Sequence, residues 1–415
     1  MDLLKIASLL LALACPQLCF AQSPAGTALS YGEQFSHHAK SFDKDRRYMV
    51  ALPERYQAGE RRYPVLYILD GDFHFRHVAA AVNNLARMGK IPPMIVVGVA
   101  MQGEADYLKS TTWASAAEGP EFGAAATMLK YLKDELVPTI DKQFRTNDRR
   151  ALAGYSLGGL LVLQAMVEPG SPFNAFLAMS PSLWYDNYSF NQQLGSYMTA
   201  AKIPLPPLFL SVANEQGMGV AELKALIDAK GPANWYTDFK HYPNETHYST
   251  AMPALLDALA FLAPNYYSDL DTLLPLTDYR QVLNHFVAKQ QQWAGFRFEW
   301  LQSYTLGKYL FISKQQDKVE EMLSAFVERF PESELELTLG LVKAFLKKAQ
   351  PQQAQALLQR VAKQGEHSAD WHQQLSLALA AVGDKAKAEA QHARALALAK
   401  AQQLESWEWW ELGPE

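Results

Sequence analysis

Beyond residue 19 this chain has no cysteine: of 415 residues only Cys15 and Cys19 carry a thiol. A cysteine nucleophile, a thiolate metal site, a redox couple and a disulfide framework are therefore excluded from everything that follows. No basic stripe interleaved with aromatics occurs, and the formal net charge is −5, so nucleic acid is not an expected partner. The N-terminal apolar run is too short for a transmembrane helix, so the protein is expected not to span a membrane. The two aspartates of Asp70-Gly71-Asp72 lack the further spaced oxygen ligands of a calcium loop, and neither a metal nor a cofactor is expected. What remains is ordinary globular composition, 49% apolar and 20% charged residues, in a chain long enough for two domains.

Residues 1–21 carry an early Lys5, a short apolar core and small residues before Gln22. That order reads as a secretory signal peptide cleaved after Ala21, and the mature protein is expected to be exported, periplasmic or extracellular. A lipoprotein signal on Cys15 or Cys19 fits less well, because neither follows the leucine-small-small pattern. Strand-like runs then appear at Tyr48–Leu52, Tyr63–Leu69, Met94–Ala100, Arg150–Tyr155, Phe176–Met179, Leu208–Ala213 and Trp235–Tyr242, with helical patterns between them, clearest over Phe122–Ile140 and Leu157–Val167. Short continuous apolar strands alternating with helices predict an α/β domain, a mostly parallel sheet with helices on both faces, over residues 22–264. From 265 to 415 the strand signal stops. Leu323 pairs with Leu357, and Val327 with Val361 and Ala395, at a 34-residue spacing that predicts an all-α, tetratricopeptide-like domain, with an irregular helical bundle as the alternative. The aromatic-dense Ser406–Trp410 is expected to cap the last helix pair or tuck against the first domain.

The chemistry is concentrated in Gly154-Tyr155-Ser156-Leu157-Gly158, set between a strand-like and a helix-like run. A bare G-x-S-x-G is common. This context predicts the nucleophile elbow of the α/β-hydrolase fold, which exposes one serine hydroxyl above the sheet. A serine hydroxyl needs a base to take its proton and a carboxylate to orient that base, in the chain order serine, acid, histidine. Downstream of Ser156 within the domain stand His241 and His247. His241 lies within a strand-like run and is expected on a sheet face. His247 follows that strand on a loop and is the expected base. Glu215, just past Leu208–Ala213, is the expected acid, with Asp186 as its rival; Asp238 and Glu245 read as structural charges. An oxyanion hole needs two preorganised N–H donors, expected from Leu157 and from Asp72, beside Gly71 where the backbone can approach a substrate closely.

The segments Tyr63–Gly71, Gly154–Gly159, Ser180-Pro181-Ser182-Leu183-Trp184 and Glu245-Thr246-His247 resemble the "Putative esterase" family of α/β-hydrolases, and within it the bacterial trilactone-siderophore esterases of the salmochelin and bacillibactin type. The resemblance covers about residues 30–264 and implies a lidless or lightly lidded serine hydrolase of carboxylic esters. By motif it puts Ser156 at the nucleophile, His247 at the base and Trp184 on the pocket wall, with Gly71, Tyr155 and Tyr185 as further pocket positions. The family's arginine after the Met94–Ala100 strand is missing from Met101–Lys109, although Asp106 is present. Arginine suits an anionic ferric catecholate, so its loss weighs against a siderophore and leaves a small-molecule ester as the expected substrate. Two other functions fit the same residues: an acyltransferase on this scaffold, and a binding protein with a vestigial hydrolase fold whose helical domain recruits a protein or peptide.

Overall fold

A computed structural model describes residues 30–200, 204–290 and 296–413; the expected signal peptide, with Cys15 and Cys19, lies outside these. Eight strands form one sheet in the order β1-β2-β4-β3-β5-β6-β7-β8. These are β1 Glu33–Ala39, β2 Lys44–Ala51, β3 Tyr63–Leu69, β4 Ile95–Val99, β5 Thr146–Tyr155, β6 Ala175–Met179, β7 Leu208–Ala213 and β8 Thr237–Tyr242. β1 and β2 are antiparallel to their neighbours, and β4-β3-β5-β6-β7-β8 run parallel.

The pleat explains the continuous apolar runs. On β3, Val65, Tyr67 and Leu69 point into one core and Leu66 and Ile68 into another, so both faces must be apolar. Helices α1 (Gly71–Arg87), α2 (Glu104–Ser110), α3 (Ala125–Tyr131), α4 (Val137–Gln143), α5 (Leu157–Val167), α6 (Tyr185–Tyr188), α7 (Phe190–Ala200), α8 (Val220–Lys230) and α9 (Ala251–Leu262) alternate with the strands. α1 and α9 cover the Leu66 face, while α3, α4, α5, α7 and α8 cover the Tyr67 face. The helical pattern expected over 122–140 is α3 and α4 joined by a π-helical stretch, Leu132–Leu136. β1 was not anticipated: Glu-Gln-Phe-Ser-His-His-Ala has almost no apolar face, and it is held as an edge strand by its ladder to β2 and by Phe35 stacked on Tyr48.

Past Ala263 the described chain has no strand, and a separate core forms around Phe286, Phe298, Phe326 and Phe345. The helices are α10 (Leu270–Leu273), α11 (Tyr279–Lys289), α12 (Trp300–Ile312), α13 (Val319–Arg329), α14 (Glu334–Lys347), α15 (Pro351–Arg360), α16 (Ala362–Gly365), α17 (Ala369–Ala381), α18 (Lys385–Ala401) and α19 (Ser406–Leu412). α14 packs on α12, α15 and α17, and α17 packs on α18. The stack is close because glycines meet: a Cβ on Gly340 would lie 2.4 Å from the Ser303 backbone, and one on Gly307 2.7 Å from the Gly340 carbonyl oxygen. The 34-residue spacing places Leu323 in α13 and Leu357 in α15, both buried. Arg61 pairs with Glu299, and Arg55 with Glu336 and Glu408, tying the sheet domain to the helices. Trp407 packs on Trp300 with Arg87 over its ring, so the aromatic tail tucks against both parts. No described helix is long and apolar enough to cross a membrane.

Candidate active site

The site stands at the carboxyl ends of the parallel strands, where an open α/β sheet offers its crevice. Ser156 joins β5 to α5 with φ 59° and ψ −124°, a conformation that L residues rarely adopt. The flanking glycines permit it. A Cβ on Gly154 would fall 2.4 Å from the Gly158 carbonyl oxygen, so the chain can double back this tightly only with hydrogen there. The Ser156 N–H donates to the Met179 carbonyl at 3.0 Å, fixing the turn to β6.

His247 Nε2 lies 3.0 Å from Ser156 Oγ, and its Nδ1 is hydrogen-bonded to the Glu215 carboxylate. The Ser182 hydroxyl is also 3.2 Å from Ser156 Oγ. The acid is itself held: Glu215 Oε2 accepts the Ala213 N–H at 3.2 Å, and its side chain is only 8% exposed. The Asn214 N–H donates to the Glu245 carbonyl at 2.9 Å, so the loops carrying acid and base are bonded to each other. The Tyr155 ring stacks on the His247 imidazole with centroids 4.9 Å apart, and His74 packs edge-on against Tyr155. Burial, with His77 alongside, pushes His74 down to about 4, so it is a neutral wall at physiological pH.

Ser156, His247 and Glu215 are therefore brought together, and Asp186 is not. The Asp186 carboxylate accepts from the Trp113 indole N–H at 2.8 Å and the Ser189 hydroxyl at 2.7 Å, and is also bonded to Ser115. His241 sits exposed on the edge strand β8, and Asp238 pairs with Lys240. Tyr155 lines the site, and Trp184 is partly exposed. Tyr185 departs from expectation as a pocket residue: it is fully buried, with its hydroxyl bonded to the Trp113 carbonyl and its ring against Trp113 and Phe122. Across Ser182–Tyr185 only Trp184 is exposed, so the turn sends that side chain outward and Tyr185 into the core.

Gly71 opens α1 pressed against Gly98, with any Cβ 2.7 Å from the Gly98 carbonyl carbon. The Asp72 carboxylate accepts the Met101 and Gln102 N–H groups at 2.9 and 3.1 Å and pairs with Arg47. Among the described residues the Asp72 N–H, in the first turn of α1, has no backbone acceptor. Burial beside Asp72 pushes the Asp70 carboxyl up to about 6. Where the siderophore-type arginine was missing, Asp106 is occupied by the buried Arg46, through a 2.5 Å contact, and by Lys44.

Sequence reasoning missed Tyr107. Its hydroxyl accepts the Gly158 N–H at 3.2 Å and donates to the Tyr155 carbonyl at 3.2 Å. Nothing in the spacing of Met101–Lys109 pointed to it, because α2 carries it in from a separate crossover.

Residues 39–238 match the Esterase family, described as "Putative esterase". The chain is 23% identical over 229 residues to a ferri-bacillibactin esterase of Bacillus subtilis, covering 48% of this chain and 78% of that one. Among solved structures, an IroE-like serine hydrolase from Shewanella oneidensis superposes with TM-score 0.60 and 25% identity over 72% of this chain and 99% of its own. A protein from Capnocytophaga ochracea shares the fold over 88% of this chain and 93% of its own, with TM-score 0.58 and 14% identity. The family match and the esterase relative support a hydrolase that acts on esters, and the Capnocytophaga likeness shows the fold alone.

Proposed function

Proceeding from a chain that resembles the siderophore-type esterases, we propose an exported serine hydrolase that cleaves carboxylic esters through an acyl-enzyme on Ser156. The observation that carries this reading is the His247 ring, bonded by Nε2 to the Ser156 hydroxyl and by Nδ1 to Glu215. With Glu215 holding Nδ1–H, Nε2 is free to accept a proton. Ser156 Oγ attacks the ester carbonyl carbon, its proton passes to His247 Nε2, and the carbonyl electron pair moves onto oxygen. Collapse of that oxyanion expels the alcohol, which takes the proton from Nε2. Water then repeats the sequence on the acyl-enzyme and releases the acid. Donors aimed at the oxyanion contribute several kcal/mol each in such sites, and this reading assigns that role to the Leu157 and Asp72 N–H groups.

The substrate reading follows the charges. A free arginine would suit an anionic ferric catecholate, whereas here Arg46 is spent on Asp106 and Arg47 on Asp72, and Asp70 adds a carboxyl nearby. That balance favours an uncharged ester over a ferric catecholate. The 34-residue correspondence of Leu323 with Leu357, both buried, supports a tetratricopeptide-like reading of the helical region.

The test is labelling by a fluorophosphonate probe and turnover of p-nitrophenyl esters beside an enterobactin-type trilactone. Stoichiometric labelling of Ser156 and loss of turnover in Ser156→Ala are expected, with the neutral esters preferred. Undiminished hydrolysis by Ser156→Ala would sink the assignment.

A further inference from the structure

The Tyr107 hydroxyl stands against the elbow, bonded to the Tyr155 carbonyl before Ser156 and to the Gly158 N–H after it. It accepts the Gly158 N–H at 3.2 Å, and its surroundings include the Ser156 hydroxyl and the Leu157 N–H. A hydroxyl hydrogen-bonded to backbone on both sides of Ser156, to the Tyr155 carbonyl and the Gly158 N–H, borders the space into which an ester carbonyl attacked by Ser156 Oγ would turn its oxygen. Its environment is dry on the ring side: Tyr107 packs against the main core of the sheet domain.

We propose that Tyr107 is a catalytic residue, donating its phenolic O–H to the oxyanion alongside the Leu157 N–H. The proposal rests on the serine-hydrolase reading above. In the resting state the phenol proton is held by the Tyr155 carbonyl at 3.2 Å, and rotation about the phenol C–O bond redirects it without moving the ring. The Gly158 N–H bonded to the phenol oxygen polarises the O–H and strengthens it as a donor. Burial raises Tyr107 above an ordinary phenol, so at neutral pH it holds its proton and can only donate or accept a hydrogen bond. The proton balance of the reaction is unchanged: Ser156 gives its proton to His247, and Tyr107 keeps its own throughout. Oxyanion donation by the phenol also gives the departure from the family's arginine a consequence. The segment that lacks the arginine delivers a neutral donor instead, which suits an ester without a large negative charge.

Tyr107→Phe removes one oxygen and keeps the ring. Loss of an oxyanion donor predicts kcat for a p-nitrophenyl ester lower by about 10²-fold, with KM within about twofold. The decisive readout is the preference for an ester over the matching thionoester, whose sulfur is a poor hydrogen-bond acceptor. That preference is a ratio and does not depend on how much of the variant is folded. It is expected to fall at least tenfold in Tyr107→Phe. Should that variant not fold, 3-fluorotyrosine at position 107, a stronger donor, is expected to raise the preference. An unchanged ratio in either protein, or a Tyr107→Phe enzyme as fast as the parent, overturns the proposal. Failure of the parent protein to hydrolyse any ester would instead overturn the underlying reading.

Discussion

At the scale of single residues, the two carboxylates that compete for the role of orienting acid differ in what they already hold. Asp186 is saturated by Trp113, Ser115 and Ser189, whose hydrogen bonds pull its carboxyl below the usual range. Glu215 is bonded to His247. Glu215→Gln is therefore expected to lower kcat by about 10²–10⁴-fold, since an amide can stabilise the wrong imidazole tautomer, while Asp186→Asn leaves kcat within a few-fold. Steady-state kinetics on one p-nitrophenyl ester decides it, and equal losses in the two variants would refute the assignment. Asp70 makes a second residue-scale prediction. Its folded-state carboxyl is raised to about 6 by burial and by Asp72. Raising the folded value above the unfolded one means that ionisation opposes folding: stability is lost as pH rises from about 4 through 6, and none is lost below pH 4. Allowing for partial solvent screening, Asp70→Asn should stabilise the protein by about 1 kcal/mol at pH 8 and by nothing at pH 3.5. Thermal melts at the two pH values test this, and an equal gain at both would refute it. Ser156 was legible from its elbow motif and His247 from the chain order and its place on a loop past β8, while Glu215, just past the apolar β7, was ranked above Asp186 without being decided. Tyr107 was not legible, since it reaches the site from a helix that has no motif of its own.

At the scale of elements, glycine decides how closely backbones approach. The G-x-S-x-G spacing works because Gly154 and Gly158 meet across the elbow, and Gly154→Ala would drive a methyl to 2.4 Å from a backbone oxygen. A cost of about 3 kcal/mol or more is expected, since backbone on both sides must move, and fluorophosphonate labelling of the folded fraction should fall with it. Gly340 is the counterpart in the helical region. Gly340→Ala would push α14 off α12, costing about 1–3 kcal/mol in urea unfolding while ester turnover of the folded protein is retained. Loss of turnover at unchanged stability would mean that the helical stack shapes the site. Strand limits were read well where the strand is buried on both faces: β3 and β7 begin and end where the apolar runs do. β1 escaped notice because an edge strand buries little, so its sequence carries a weak apolar pattern and its ladder to β2 defines it.

At the scale of the whole molecule, the sheet domain and the helical region each have their own apolar core, and charge joins them. Arg55 meets both Glu408 and Glu336, and the Glu408 side chain is only 2% exposed. Removing the cation strands a buried carboxylate, so Arg55→Met should cost about 3 kcal/mol, and Arg55→Met with Glu408→Met should recover most of that. A double variant as unstable as the two single losses combined would show that the pair is not coupled. The sequence by itself determined the α/β order, the ends of buried strands such as β3 and β7, the serine with its histidine and a helical region without strands. These are all written in local periodicity, in chain order and in glycines that only one backbone turn needs. Tertiary structure alone decided which carboxylate reaches His247, that Tyr185 is buried against Trp113 and Phe122, that Tyr107 meets the elbow, and that the aromatic tail bridges both parts. Each of those depends on distances between segments far apart in the chain, and such distances are set only when the sheet and its covering helices pack.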